Sequence, residues 1–411
     1  MIKVAVLGAS GYGGSEVLRI LSQHKGVKIN YIGANTHSGI KLSASLGHFR
    51  GRFGSDFSRD FNIDSNGDSS GSFGGFSGDD IMQNRPLSEI ADENDCIITA
   101  TPHEFMVNIL EKEILDKAIV IDLSADFRLK NPKKYEEYYN FTHKKLDLLQ
   151  LSVYGLCEFY ADSIKKARLI ANPGCYPTCS TFAIAPFLKE KIITPQSIII
   201  DAKSGVSGAG RGAKMANLFC EVNENIKAYS LINHRHTAEI EQNLEAIYFD
   251  KKVMESRTFK TDSNSTDSNI DSISNFRADS RTNSLADSIS ISFTPHLVPM
   301  NRGILVTAYA NLEQKYYDIT QKDLDTILQD FYSDKFFVRV LESGLPPETR
   351  WVNGSNFCDV SVRLDTRNKR IIMMGALDNL IKGAAGAAVQ NLNLAFGFKE
   401  SQALESPALF P

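Results

Sequence analysis
A run of apolar, β-branched residues from Ile2 to Leu7 ends in Gly8-Ala9-Ser10-Gly11-Tyr12-Gly13-Gly14. Ser15 to Leu21 then carries apolar residues at helical spacing, and a second apolar strand follows at Lys28 to Gly33. Strand, glycine turn, helix, strand is the opening unit of a parallel α/β sheet. The glycines let the backbone approach a pyrophosphate, which the N–H groups and positive end of the next helix can hold. Their spacing, Gly8, Gly11, Gly14, is GxxGxxG rather than the commoner GxGxxG. The alternation continues with a strand over Asp95 to Ala100, a turn at Thr101-Pro102-His103, a helix through Leu115 and a strand over Ala118 to Leu123. A Rossmann-like doubly wound parallel sheet is therefore expected. Ligands of such sheets collect beyond the carboxyl ends of the strands. Gly8, Ser10, Gly11, Tyr12, Gly13, Gly14, Thr101 and Pro102 are accordingly candidate cofactor contacts.

A site for NAD presents a carboxylate to the ribose after the second strand. Here that place reads Ala34-Asn35-Thr36-His37-Ser38, then Lys41, with no acid. This favours NADP, with Ser38, His37 or Lys41 as candidate partners of its extra phosphate.

The second half is organised around Ala171-Asn172-Pro173-Gly174-Cys175-Tyr176-Pro177-Thr178. Pro fixes φ and Gly tolerates positive φ, so the turn thrusts Cys175 outward. Pro177 suits the first helical turn and Thr181 to Leu188 continue at helical spacing, placing Cys175 at a helix N-terminus that favours thiolate. A buried structural cysteine is the alternative. A short strand, Ile198 to Ala202, runs into Lys203-Ser204-Gly205-Val206-Ser207-Gly208-Ala209-Gly210-Arg211, a candidate loop for a phosphate or the nicotinamide ribose through Ser204, Gly205 and Gly208. His234-Arg235-His236 stands at the start of an amphipathic helix marked by Ile240, Leu244 and Ile247. Glu239, three residues after His236, is expected to orient its imidazole and raise its basicity. Cysteine, base and orienter form a nucleophilic set. The HxH pair lacks further ligands at short spacing, so no metal is expected.

Strands over 289–293, 304–310, 335–341, 358–364 and 369–374 imply an α+β domain with a mainly antiparallel sheet. A helix of small residues from Asp378, with Asn379 at its beginning, returns to the first domain. The resulting division is 1–172, 173–375 and 376–411. Two inserts interrupt it, one over about 55–80 and one, rich in Asp and Ser, over about 251–289. Asp64, Asn66 and Asp68 have the spacing of a calcium loop but lack its terminal glutamate.

At 411 residues the chain suits a two-domain enzyme. Its net charge of −4 argues against nucleic-acid or membrane partners. The amino terminus has no signal-peptide pattern, so a cytoplasmic protein is expected. Six dispersed cysteines without a CxxC pair read as reduced thiols.

GASGYGGSE at 8–16, DLSADFRL at 122–129, VYGL at 153–156, ANPGCYPT at 171–178, SGVSGAGR at 204–211, HRHTAEIEQ at 234–242 and PMNRGI at 299–304 together resemble the N-acetyl-gamma-glutamyl-phosphate reductases of arginine biosynthesis, within the aspartate-semialdehyde dehydrogenase group. The resemblance spans the chain outside its two inserts. It implies a catalytic thiol at Cys175 and an acid–base partner at His236, with His234 and Glu239 nearby and Asn379 close to the nicotinamide. Arg128, Arg211 and Arg302 are the implied cations for the substrate's carboxylate or phosphate. NADPH, an acyl-phosphate substrate, released phosphate and a homo-oligomer, dimer or tetramer, go with it. Cys157 and Ala238 stand where the pattern leads us to expect proline, and Cys179 where it leads us to expect a small residue. A dehydrogenase of aspartyl or aminoadipyl phosphate is the alternative within the class. Outside it stand a cysteine hydrolase using Cys175, His236 and Glu239, and a nucleotide-sensing binding protein.

Overall fold
The computed structural model describes residues 1–53, 76–249 and 288–410. Most of both expected inserts, and the Asp64, Asn66, Asp68 triplet, lie outside these residues. Strands β1 (Ile2–Leu7) and β2 (Val27–Gly33) are followed by a short antiparallel pair, β3 (Arg52–Phe53) and β4 (Phe76–Ser77). Strands β5 (Cys96–Thr99), β6 (Ile119–Asp122), β7 (Val153–Tyr154) and β8 (Leu169–Ala171) then join β1 and β2 in a six-stranded sheet of order β2-β1-β5-β6-β8-β7. Every pairing in it is parallel. Val4, Val6, Ile97 and Ile98 are fully buried, as strands covered on both faces require.

The second sheet has seven strands: β9 (Ile199–Ser204), β10 (Lys227–Ala228), β11 (Ser292–Leu297), β12 (Ile304–Asn311), β13 (Val338–Val340), β14 (Cys358–Asp365) and β15 (Arg370–Leu377). Its order is β10-β11-β9-β12-β15-β14-β13, antiparallel except for β11–β9 and β13–β14. Along β12, Val306, Ala308 and Ala310 are buried while Leu305, Thr307 and Tyr309 are half-exposed, so one face packs and the other does not. The packed face meets the helix Cys175–Lys189, whose opposite side is covered by the helix His236–Tyr248. Enclosed in this way, the Cys175 helix is buried continuously from Tyr176 to Leu188.

Two expected helices are broken. The stretch from 103 to 115 forms two short pieces, Phe105–Ile109 and Lys112–Lys117, because Leu110 and Glu111 are extended. The C-terminal helix begins as a π-helix, Ile381–Ala385, before the α-helix Gly386–Ala395. The Asp378 carboxylate accepts from the backbone N–H groups of Leu380 (2.8 Å) and Ile381 (3.1 Å). The wide turn that follows is held by Gly383 N–H to Asp378 O and Ala385 N–H to Leu380 O. The α-helical part packs on Tyr12–Leu21, with Ala388, Val389 and Leu392 in the same core as Val4, Val6 and Val17.

Candidate active site
A cavity of about 1290 Å³ lies between the two sheets, lined by the glycine turn after β1, the turn after β5, the Cys175 turn, the loop after β9 and the π-turn. At one end are Gly8, Ser10, Gly11, Tyr12 and Gly13, with Thr101 and Pro102 beside them. Gly8 has φ +76°, and a Cβ there would lie 2.3 Å from the Ala100 carbonyl oxygen. Gly14 does not line the cavity. A Cβ on it would meet the Gly8 oxygen at 2.3 Å, so its bareness lets the helix start directly over the turn. Ser38 is exposed and also lies outside the lining, whereas Asn35, Thr36 and His37 belong to it. Arg85 lines the same end, a residue that sequence reasoning missed. The segment before it bridges the end of β2, with Gln83 paired to Gly33. Nothing in the spacing of residues 33 and 85 announces that contact.

Gly174, extended, caps the helix that begins with Cys175, and the thiol is half-buried at the cavity floor. Beneath the turn sits fully buried Glu239. One of its oxygens accepts from the Gly174 amide (2.7 Å) and the Tyr154 hydroxyl (2.7 Å), and the other from Arg128 (3.2 Å). This corrects the expectation that Glu239 orients His236. Its oxygens are engaged elsewhere, and the buried Nδ1 of His236 has no hydrogen-bond partner among the described residues. Arg128 lines the cavity, and three of its five N–H groups go to Asn172 O (2.7 Å), Leu123 O (2.7 Å) and Glu239. It fixes the turn. The Nε2 of His236 faces the turn, since a Cβ on Gly174 would lie 2.7 Å from it. On the other side, a Cβ on Gly383 would lie 2.7 Å from that of Cys175, so the π-turn fits against the thiol residue only as glycine.

Burial pushes the Cys175 thiol up to about 11, outweighing the Tyr176 amide and Arg128, which favour the thiolate. The helix terminus alone therefore does not ionise it, contrary to expectation. Burial likewise holds His236 well below the usual histidine range, reinforced by His234, Arg128 and Arg235. The pair at neutral pH is a thiol beside a neutral imidazole. His234 Nδ1 accepts from the His236 amide (3.1 Å), which leaves its proton on Nε2. Burial and then Arg235 lower His234 to about 4. His103, which from its place after Pro102 reads either as a cofactor contact or as a solvated loop histidine, lines the cavity and accepts from the Ala125 amide through Nδ1 (3.1 Å).

Six cations line the cavity, Arg85, Arg128, Arg211, Lys214, Lys227 and Arg235, and no aspartate or glutamate among the described residues does. Arg211 donates to Ser10 O (2.8 Å) and Ser45 O (2.9 Å), tying the loop after β9 across the glycine turn. Arg302 is absent from the lining. It pairs with Glu16 and with Asp378, which removes it from the substrate-binding set expected from sequence. Arg235 packs against the Tyr139 ring at 5.6 Å. Ser204, Gly205 and Gly208 line the wall opposite the glycine turn. Asn379 joins that wall, donating to Ser207 Oγ (3.0 Å) and accepting from the Gly303 amide (2.8 Å).

Residues 3–167 match the family described as semialdehyde dehydrogenase, NAD binding domain, and residues 175–260 and 278–379 the semialdehyde dehydrogenase, dimerisation domain. The chain is 46% identical to an N-acetyl-gamma-glutamyl-phosphate reductase of Lachnoclostridium phytofermentans over the whole of both chains. It is 45% identical to one of Campylobacter jejuni over 98% of each. Among solved structures, aspartate semialdehyde dehydrogenase with NADP from Candida albicans superposes with a TM-score of 0.61 at 14% identity, over 96% of this chain and 98% of that one. The Vibrio cholerae aspartate semialdehyde dehydrogenase II complexed with ASA gives 0.59 at 14% identity, over 97% and 98%. At such identity these two establish the shared fold. Identity near one half along its full length, with both domain models matched, makes the chain a member of the N-acetyl-gamma-glutamyl-phosphate reductase family.

Proposed function
We propose that the chain reduces N-acetyl-L-glutamyl 5-phosphate with NADPH to N-acetyl-L-glutamate 5-semialdehyde and phosphate, through a thioester at Cys175. The observation that carries this reading is one nucleophile in a cavity with six cationic side chains and no carboxylate among its described lining residues. Such a wall suits two anionic ligands, a dinucleotide phosphate and an acyl phosphate.

The glycine cradle of Gly8, Gly11 and Gly13 leaves room that a side chain would fill, and the end near Asn35, Thr36, His37 and Arg85 offers polar groups without an acid. These residues fit NADP better than NAD. Ser204, Gly205, Gly208 and Asn379 would hold the nicotinamide half. When bound, the cofactor supplies the hydride that a thioester carbonyl accepts.

His236 takes the Cys175 proton at Nε2 as sulfur attacks the acyl carbon, the carbon–oxygen bond to phosphate breaks, and phosphate leaves with the electron pair. After reduction the carbon–sulfur bond breaks, the aldehyde leaves, and His236 returns the proton to sulfur. His234, with its proton on Nε2, is placed to hydrogen-bond substrate oxygen. Arg235, outside every ion pair of the described residues, takes the anion-binding role that Arg302 cannot. The reduced cofactor and free thiols suit a cytoplasmic setting.

The test is the reverse reaction with N-acetylglutamate semialdehyde, NADP and phosphate, set beside aspartate semialdehyde. Turnover confined to the first substrate and dependent on phosphate is expected. Equal or better turnover of aspartate semialdehyde would reassign the substrate, and no nicotinamide reduction with either would remove the activity.

A further inference from the structure
Among the described residues Lys382 is the one buried lysine, and it does not line the cavity. Its ammonium donates to Glu158 Oε1 (2.5 Å) and Gln390 Oε1 (2.7 Å). It also lies 5.5 Å from the centre of the Phe182 ring and 5.3 Å from that of Phe337. Separate pieces of chain therefore meet on this one charge. Glu158 comes from the helix Cys157–Ile164, Phe182 from the Cys175 helix, Gln390 from the C-terminal helix and Phe337 from the residue before β13.

Stability alone is a weak reason for such a pair. Removing both charges from water costs about as much as their attraction returns, and packed apolar side chains do as well. Glu158 Oε2 has no hydrogen-bond partner among the described residues, so the pair is not fully satisfied. What a buried polar network supplies is direction, because its hydrogen bonds admit one arrangement of the chain. The chain directed here is the π-turn Ile381–Ala385, in which Lys382 is the one polar side chain. Such turns are rare and occur mostly at functional sites. The next residue, Gly383, is the one on which a Cβ would lie 2.7 Å from that of Cys175. Beyond it, Ala384 O accepts from Asn172 Nδ2 (3.0 Å), within the turn that presents the thiol.

We propose that Lys382 and Glu158 are positioning residues for the nucleophile. Their buried pair fixes the π-turn against the Cys175 turn and so holds the thiol within reach of His236. The effect on chemistry rests on the reductase reading, while the pinning of the turn does not.

Lys382→Met alone would leave the Glu158 carboxylate buried without its counter-charge, so a loss of activity would include unfolding. The decisive variant is Lys382→Met with Glu158→Gln, which strands no charge and nearly keeps the volume. Its urea midpoint should match wild type. Its kcat should nevertheless fall at least about tenfold, with KM for NADP and for the semialdehyde within about twofold, because the groups that bind them are untouched. Alkylation on the Cys175 peptide by iodoacetamide near neutral pH should slow towards the rate of His236→Asn, a readout independent of turnover. Hydrogen exchange on wild-type protein needs no mutation. The Gly383 and Ala385 amides, bonded to Asp378 O and Leu380 O, should exchange as slowly as those of the Cys175 helix. A double variant that matches wild type in kcat or in alkylation, or one that no longer folds, would make the pair structural alone and overturn the proposal. Exchange at Gly383 and Ala385 faster than in the Cys175 helix would do the same. Should wild-type enzyme fail to turn over, the reductase reading falls, and alkylation and exchange still decide the pinning.

Discussion
The Glu239 carboxylate lies 2.7 Å from the backbone nitrogen of Gly174, directly beneath the residue that precedes Cys175. The helix that presents His236 thus also carries the acid that fixes the nucleophile's turn. Thiol and imidazole are positioned by one buried unit, in which Arg128 and Tyr154 complete the carboxylate's shell.

Glu239→Gln should therefore act on stability as well as on rate. The amide keeps the shape but leaves the buried Arg128 guanidinium without its counter-charge. Breaking a buried pair from one side costs about 3–5 kcal/mol. Urea unfolding should show a loss in that range, and Tyr154→Phe, which removes one hydrogen bond to the same carboxylate, about 1 kcal/mol. Wild-type stability in Glu239→Gln would mean that the network is not structural.

Gly383→Ala should impair chemistry more than cofactor binding. The added methyl would sit 2.7 Å from the Cys175 Cβ and 3.2 Å from its Cα, and both are backbone-fixed. Displacing the thiol from His236 should lower kcat at least tenfold, about 1.4 kcal/mol of barrier, with KM for NADP nearly unchanged. Gly47→Ala, whose methyl meets nothing within 4 Å among the described residues, serves as the control. A Gly383→Ala enzyme as fast as the control would show that the π-turn does not set the position of the thiol.

Much of this arrangement is legible in the sequence, because local signals carry it. Apolar runs, a glycine turn and helical spacing foretell the parallel sheet and its cradle, and Asn-Pro-Gly before Cys175 foretells a thiol on a turn at a helix start. What escapes is set by contacts between distant segments. Spacing places Glu239 beside His236, yet the carboxylate points to Gly174, 65 residues earlier in the chain. Arg302 reads as a free cation until Glu16, 286 residues away, is found to take it. Ionisation escapes for the same reason. A helix terminus favours thiolate, but only the packed structure shows burial outweighing it.

Acidification should destabilise the fold from pH 6.5 downward, the several buried histidines outweighing the buried carboxyl of Asp122, which burial pushes up to about 6 and which acts in the opposite sense. Burial lowers His24 and His143 below 6.5, His103 to about 3 and His234 to about 4. Each stays neutral in the folded chain while the unfolded chain takes up a proton below 6.5. The unfolded state then binds more protons, so stability falls as pH drops from 6.5 towards about 4. The urea midpoint should decline between pH 7 and 5, and less steeply in His234→Asn. A midpoint flat over that interval would show these imidazoles to be solvated.

The order of events at Cys175 follows from its ionisation. With the thiol pushed up to about 11, attack needs a base, and His236 is the neutral group facing the turn. Enzyme mixed with acyl phosphate and no NADPH should release up to one phosphate per site and hold a thioester, because only reduction needs the cofactor. Mass spectrometry after acid quench should find the acyl group on the Cys175 peptide. Cys175→Ser should lose both adduct and reduction. His236→Asn should form adduct slowly, at a rate that climbs with pH towards the thiol's own ionisation, whereas wild type should be nearly level above neutrality. Alkylation by iodoacetamide gives an independent measure of the same group. In His236→Asn its rate should rise about tenfold per pH unit through pH 9, as an un-ionised thiol requires. Reduction by Cys175→Ser at the wild-type rate would end the covalent route. An alkylation rate level from pH 7 would show that the helix terminus ionises Cys175 unaided, and that His236 serves a later proton transfer.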